Sequence, residues 1–300
     1  MIENEIIPIL AETGPLTGAQ LVDRTHMEVL ALWQTCRKTP SIQWKTACRR
    51  FLRLDRNVQG YARLSPSIRR EFLTYTFVGL NSQTDALISK VEALNRETGQ
   101  ISRAKLDIAR ESVTSAVASL QDQGIILEKA CFVIAGDVVY EMSHIVPRPE
   151  KSTGEMVQGS DLDIVVVVED DLDSAIIGSL DNAIHKRKHL LLVNDREEID
   201  YLIKSMSRVR EQLKFDIFSS MVACKILDEG QFLYGNPAVF HTVKNLIDEH
   251  KIPERLKELE RRAIAGRQTA ESQLIEGGAQ KDQSECYNLF YTKAEEDEIY

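Results

Sequence analysis

Two carboxylates one residue apart, Asp161 and Asp163, stand in Gln158-Gly159-Ser160-Asp161-Leu162-Asp163, directly before the β-branched run Ile164-Val165-Val166-Val167-Val168. The run predicts a buried strand, in which positions i and i+2 share a face, so both acids point toward the side where the Gly-Ser turn opens. Two like charges held that close repel each other unless a cation or a shared proton relieves them. Such an oxygen pair suits a hard ion, and magnesium takes one or two carboxylates plus substrate phosphates. A further acid is embedded in the short apolar run Phe215-Asp216-Ile217-Phe218, and a strand there, paired beside the first, brings Asp216 next to Asp161 and Asp163. Three acids on adjacent strands fit a two-metal site, one ion activating an attacking oxygen and the other holding a triphosphate. Asp161, Asp163 and Asp216 are thus candidate metal ligands and catalytic residues, with Asp216 the general base for an acceptor hydroxyl. An acidic turn capping backbone amides explains one of these Asp residues but not all three.

Taken with the upstream apolar run Cys131-Phe132-Val133-Ile134-Ala135-Gly136 and the later Ile226-Leu227-Asp228-Glu229-Gly230-Gln231-Phe232-Leu233-Tyr234-Gly235, residues 129–245 resemble the DNA polymerase β-type nucleotidyltransferase superfamily, in particular its small prokaryotic members. The resemblance implies an α+β fold built on a mixed sheet with flanking helices. It also implies two divalent ions, Mg2+ or Mn2+, held by the three acids, and transfer of a nucleoside monophosphate from a nucleoside triphosphate such as ATP. Triphosphate contacts are implied at Gly136, Asp137, Gly159 and Ser160. Where the family pattern has Gly-Ser after the first strand, this chain has Gly136-Asp137, and the gap to the Asp pair is lengthened by residues 143–154. This insert, with Pro147 and Pro149, reads as a loop that governs access to the acids, its Arg148 and Lys151 reaching toward a triphosphate or acceptor backbone.

The elements needed to hold these residues follow from periodicity. A helix and a connecting strand are read over Leu172 to Asn194, with the basic run His185-Lys186-Arg187-Lys188-His189 between them. Another helix is read over Ile199 to Leu213, whose Lys204, Arg208 and Arg210 are cations suited to phosphate. Helices are also expected near Val239–Glu249 and from Pro253 to about Ile275, followed by an acidic tail. Upstream, Leu87, Val91, Leu94, Leu106, Ala109, Val113, Val117 and Leu120 follow helical spacing. They give two helices with a break near Gly99 and a C-cap at Gly124, packing within the chain or forming a homodimer seam.

The N-terminal part is different in character. Between Arg37 and Arg70 there are ten Lys or Arg against one acid, although the whole chain carries −9. Short helices are expected over residues 2–12, from Thr17 as N-cap, over His26–Arg37 and over Ser41–Arg50, then a hairpin formed by Phe51–Arg56 and Tyr61–Leu64. Ser65-Pro66-Ser67 then caps a helix carrying Phe72, Tyr75 and Phe77. Short helices before a basic hairpin resemble a winged helix-turn-helix domain. That resemblance implies nucleic-acid contact through Lys45, Arg49, Arg50, Arg53, Arg56 and Arg63; the other reading is a docking face for the acidic remainder. The expected organisation is a winged-helix-like domain over 1–78, a helical connector over 79–128, a nucleotidyltransferase domain over 129–250, and a C-terminal helix and tail over 251–300.

Composition bounds the classes. With 43% hydrophobic and 28% charged residues, this is an ordinary globular chain. No run approaches membrane-spanning length and the N-terminus is acidic, so a cytoplasmic protein is expected. Five scattered cysteines argue for reduced thiols. There is no Gly-x-Ser-x-Gly, His-Glu-x-x-His, P-loop or Gly-x-Gly-x-x-Gly motif. The expected activity is nucleotidyl transfer onto a nucleic acid, for instance a transfer RNA end, or onto a protein hydroxyl. Two alternatives stay open: synthesis of an oligonucleotide second messenger, and a DNA-binding regulator whose nucleotidyltransferase-like domain only senses nucleotide.

Overall fold

A computed structural model describes residues 3–150, 153–276 and 288–291; Lys151 and the acidic tail that closes the sequence lie outside the described residues. The chain is α+β and forms two units, one from residues up to Glu97 together with those from Leu259 onward, the other from Thr98 to Glu258. The connector expected over 79–128 is not a body of its own. It is one 35-residue helix, α5 (Thr84–Ala118), that gives its first turns to one unit and the rest to the other. Gly99 does not break it, because a single interior glycine costs only about 1 kcal/mol among good helix formers.

The first unit contains α1 (Glu3–Thr13), β1 (Leu16–Thr17), α2 (Gly18–Thr25), α3 (Val29–Lys38), β2 (Ile42–Thr46), β3 (Phe51–Leu54), β4 (Ala62–Ser65), α4 (Ile68–Arg70) and β5 (Thr76–Leu80). Thr17 caps α2 through a reciprocal capping box with Gln20, as its sequence position suggests. The helix expected over Ser41–Arg50 is instead β2: Ile42, Trp44 and Thr46 alternate with polar residues at the strand period and pair with β5, which lies between β1 and β2. The β3–β4 hairpin forms with Arg53 opposite Arg63. Ser67 caps only the short α4, a turn of π-helix follows over Glu71–Tyr75, and Phe77 belongs to strand β5.

The core of this unit draws on both ends of the sequence. Ile6, Leu10, Leu21, Leu32, Trp33 and Val78 pack with Ala270, Leu274 and Phe290. The first two of these late residues lie on α12 (Ile252–Glu276).

The second unit is organised by a four-stranded mixed sheet in the order β10-β9-β6-β11, where β6 is Ala130–Ala135, β9 Leu162–Val168, β10 Ile199–Ser205 and β11 Gln231–Gly235. β10 runs parallel to β9, and β6 antiparallel to both β9 and β11. One face (Phe132, Ile134, Leu162, Ile164 and Val166) packs with Ala109, Val113 and Val117 of α5 and with Leu180, Ile184 and Leu191 of α8 (Ser174–Asp195). On the other face the sheet meets α9 (Met206–Gln212), α10 (Phe218–Glu229) and α11 (Pro237–Glu249). Between α5 and the sheet lies α6 (Gln123–Lys129); Gly124 sits inside it and is not a helix C-cap.

Three sequence expectations change here. Residues 174–195 form one helix with no strand among them, because the apolar positions of Leu180, Ile184 and Leu191 keep helical spacing through the basic run. The helix read over Ile199–Leu213 begins as strand β10 and turns helical only at Met206, where Ser205 caps α9. Phe215-Asp216-Ile217 is an irregular connection between α9 and α10, so no strand carries Asp216.

Among the described residues no helix is long and apolar enough to cross a membrane. Cys36, Cys131 and Cys224 are free thiols. Because α12 completes the first core, Leu274→Ala, at a side chain 1% exposed, should destabilise that unit by roughly 2–5 kcal/mol, read as a lower urea midpoint. A fragment ending near Gly79, lacking α12, should not give a cooperative transition.

Candidate active site

The acids gather at one end of the central strand. In register, Asp163 stands opposite Ala135 of β6 on one side and Asp200 of β10 on the other. Paired residues share a sheet face, so Asp163 and Asp200 project together, away from the face formed by Leu162 and Ile164. The residue between β6 and the short helix α7 (Asp137–Tyr140), Gly136, has φ +72°, and a Cβ there would lie 2.1 Å from Asp163 Oδ2. Glycine is thus required twice over, by its left-handed backbone and by the carboxylate resting against it.

The turn before β9 is equally tight. Gly159 has φ +65°, and a Cβ on it would fall 1.9 Å from the His144 carbonyl oxygen. Ser160 is buried; its hydroxyl donates to Asp137 Oδ2 at 3.0 Å and accepts from the His144 amide at 3.3 Å, while its own amide donates to the His144 carbonyl at 3.1 Å. Asp137, which stands where the resembled family has serine, therefore belongs to the acid cluster and is tied to the Gly-Ser turn.

The insert is not a loop. β7 (Pro147–Pro149) pairs antiparallel with β8 (Met156–Gln158), and Glu150 closes the hairpin by accepting from the Thr153 amide and hydroxyl. Its Arg148 points inward. The guanidinium Nε donates to the Gly159 carbonyl at 2.8 Å, and Nη2 lies 2.8 Å from Glu198 Oε2 and 3.7 Å from Asp161 Oδ2. Beneath this hairpin Lys105 of α5, 2% exposed, donates to Glu197 Oε2 at 2.6 Å and to the Gln158 carbonyl at 2.8 Å.

Electrostatics follow from the crowding. Desolvation first, then the charges of Asp161, Asp137, Asp200 and Glu198, push the Asp163 carboxyl up to about 8. Burial likewise raises Glu198, with Arg148 opposing it and Asp161 adding to it. Asp161 and Asp200 are more open, the Asp161 side chain being 41% exposed.

Of the residues singled out from sequence, the structure thus assembles Gly136, Asp137, Gly159, Ser160, Asp161 and Asp163. It does not set Asp216 beside them on a neighbouring strand: that residue is exposed in the α9–α10 connection, and its charge is not among the main ones acting on Asp163. Lys204 and Arg208 are also placed elsewhere. Lys204 lies four residues beyond Asp200 on β10, about 13 Å along the strand. Its ammonium donates to Gln212 Oε1, and burial lowers it to about 8. Arg208 follows on α9 and pairs with Glu211.

Sequence reasoning missed Asp200 and Glu198. The signal was present in Ile199-Asp200-Tyr201, an acid between apolar residues like Leu162-Asp163-Ile164, but hidden by reading the segment as a helix.

Among the described residues no three His, Cys, Asp or Glu side chains converge, as they stand, to hold a metal ion. The donor chemistry nevertheless fits a hard cation. Every candidate ligand is a carboxylate oxygen, and one of them is recessed among four like charges. Asp161, Asp163 and Asp200 are the residues that would hold it.

The basic N-terminal residues are partly neutralised within their own unit. Arg50 makes two contacts with Glu71, at 2.6 and 2.7 Å, and one with Glu271 at 3.2 Å. Arg63 is buried against Asp55 at 2.9 Å, and Arg37 pairs with Glu271. Arg53 lies on β3, while Arg49 and Arg56 are exposed beside that strand and Lys45 is half-buried on β2. The block of positive charge counted along the sequence is therefore not one open surface. No known protein family, no curated protein and no solved structure matches the chain.

A carboxyl that ionises near 8 when folded and near 3.8 when unfolded holds its proton more tightly in the folded state. The folded state gains from it fully at low pH, loses that gain as pH rises between the two values, and levels off above 8. With chelator present, urea unfolding should show stability falling toward pH 8, and Asp163→Asn should flatten this part of the profile.

Proposed function

We propose that this chain is a metal-dependent nucleotidyltransferase that moves a nucleoside monophosphate from a nucleoside triphosphate to a nucleic-acid or protein hydroxyl, with Asp161, Asp163 and Asp200 as its three carboxylates. The observation that carries the reading is the register of Asp200 with Asp163 on parallel neighbouring strands, beside the glycine that ends β6. A mixed sheet covered by helices on both faces, with the acids at one end of its central strand, supports the nucleotidyltransferase fold.

A divalent ion bound by these carboxylates would supply charge neutralisation for the phosphates and would lower the pKa of the acceptor hydroxyl. The chain's own residues do the rest. Asp163, whose carboxyl is pushed up to about 8 by burial and its acidic neighbours, would have to release a proton to serve as a ligand. Asp200, open at the mouth, accepts the proton of the acceptor hydroxyl as that oxygen bonds to the α-phosphorus. The bond from the α-phosphorus to the bridging oxygen breaks and pyrophosphate leaves. Gly159 and Ser160 fix the turn so that Asp161 faces the same space, and Arg148 holds that turn from behind.

In the N-terminal unit, the order helix, strand, helix, helix, strand, hairpin, short helical segment, strand with a β1-β5-β2 sheet supports a winged-helix reading. Two residues of α3 are already engaged by α12, Gln34 donating to the Leu274 carbonyl and Arg37 to Glu271. The basic residues Arg49, Arg53 and Arg56, on and beside β3 of the β3–β4 hairpin, support that hairpin as the nucleic-acid contact.

The test is incubation with α-labelled nucleoside triphosphates, Mg2+ or Mn2+, and total cellular RNA and protein. The wild-type chain should label a macromolecule, Asp163→Asn and Asp200→Asn should each reduce the rate by about a hundredfold or more, and Asp216→Asn should stay near the wild-type rate. Loss of transfer in Asp216→Asn with Asp200→Asn active would overturn the assignment of the third carboxylate.

A further inference from the structure

The acids at the mouth of the sheet include two cross-strand pairs, and one of these pairs already holds a cation. Asp163 stands opposite Asp200 in the parallel register of β9 and β10. Two residues earlier on each segment, Asp161 and Glu198 continue that register past the strand ends, the Leu162 amide between them donating to the Glu198 carbonyl at 2.8 Å. Positions two apart in extended chain share a face, so the two pairs lie one behind the other.

They differ in what they hold. Between Asp161 and Glu198 sits the Arg148 guanidinium, its Nη2 3.7 Å from Asp161 Oδ2 and 2.8 Å from Glu198 Oε2. It is fixed there: Nε donates to the Gly159 carbonyl at 2.8 Å, and the side chain is 9% exposed. Arg148 is the middle residue of β7, flanked by Pro147 and Pro149 and paired with buried Val157 of β8, so the guanidinium cannot leave without disturbing the hairpin. By contrast, among the described residues neither Asp163 nor Asp200 makes an ion pair.

Two-metal phosphoryl-transfer sites hold their ions about 4 Å apart. A second divalent ion beside Asp161 would meet a buried like charge at close range. To take Glu198 as a ligand it would have to break the pair with Arg148, and that leaves a buried guanidinium without its carboxylate. We propose that the cluster takes a single divalent cation, held by Asp163 and Asp200 with Asp161 at its edge, and that Arg148 fills the place of a second. The inference rests on the cation site of the proposed function and specifies how many ions that site accepts.

Calorimetric titration of Mn2+ into the full-length, metal-free protein counts the ions. Electron spin resonance of the bound Mn2+ shows whether two lie side by side, because neighbouring ions couple and broaden each other's signal. The wild type should take about one ion per chain, uncoupled, and Arg148→Gln about two, coupled. Arg148→Lys, which keeps the charge, should take about one. Asp200→Asn should weaken the wild-type ion by about tenfold or more. A variant that failed to fold would lose ions and not gain one. Two coupled ions in the wild type, no second ion in Arg148→Gln, or a second ion in Arg148→Lys would overturn the single-ion proposal and leave the cation site standing. No binding by the wild type would overturn the cation site itself, and this inference with it.

Discussion

The repulsion among carboxylates around Asp163 is the constraint on which the second unit depends. Burying one carboxylate is unfavourable, and burying it within reach of Asp161, Asp137, Asp200 and Glu198 is more so, hence a carboxyl pushed up to about 8. Such an arrangement persists only where the surrounding backbone leaves no alternative. Here that backbone is a central strand hydrogen-bonded on both sides along its length, with Val165, Val166 and Val167 fully buried behind the acid. Strained or electrostatically unfavourable groups held in this way cluster at functional sites.

Local devices around the strand serve the same end. Gly136 and Gly159 let backbone come closer than any side chain would permit, one to Asp163 and the other to His144. The β7–β8 hairpin brings Arg148 into the cluster, where it offsets part of the negative charge and grips the Gly159 carbonyl. Lys105 of α5 anchors the hairpin through the Gln158 carbonyl, paired with Glu197 from the connection before β10. As a buried ion pair it adds little net stability, but removing either partner would strand a charge. The insert, the long helix and the acid turn are in this sense one structure.

How much of this could be read from the sequence depended on whether the signal was local. The strand at Ile164–Val168 and the facing of Asp161 and Asp163 followed from β-branched composition and the period of two. So did Thr17 as a cap, whose geometry involves only Gln20, and the hairpin at Phe51–Leu64. The third carboxylate was not legible in the same way. Ile199–Ser205 contains Lys, Leu and Tyr, which suit a helix as well as a strand, and only pairing with β9, more than thirty residues earlier in the sequence, decides between them. Ser41–Arg50 failed for the same reason: β2 exists because β5 lies beside it. The neutralisation of Arg37 and Arg50 was out of reach because Glu271 arrives from more than two hundred residues away. A run of charge along the sequence says nothing about partners that the fold brings from elsewhere.

In the proposed site the carboxylates around Asp163 hold a cation, and the recessed member carries a proton when no cation is bound. Calorimetric titration of Mn2+ into the metal-free protein near neutral pH, repeated in two buffers of different ionisation enthalpy, measures binding and proton release together. Saturable binding is expected, with a proton released as the ion enters and that release lost in Asp163→Asn. Saturable binding with no dependence on the buffer, or no binding at all, would contradict it.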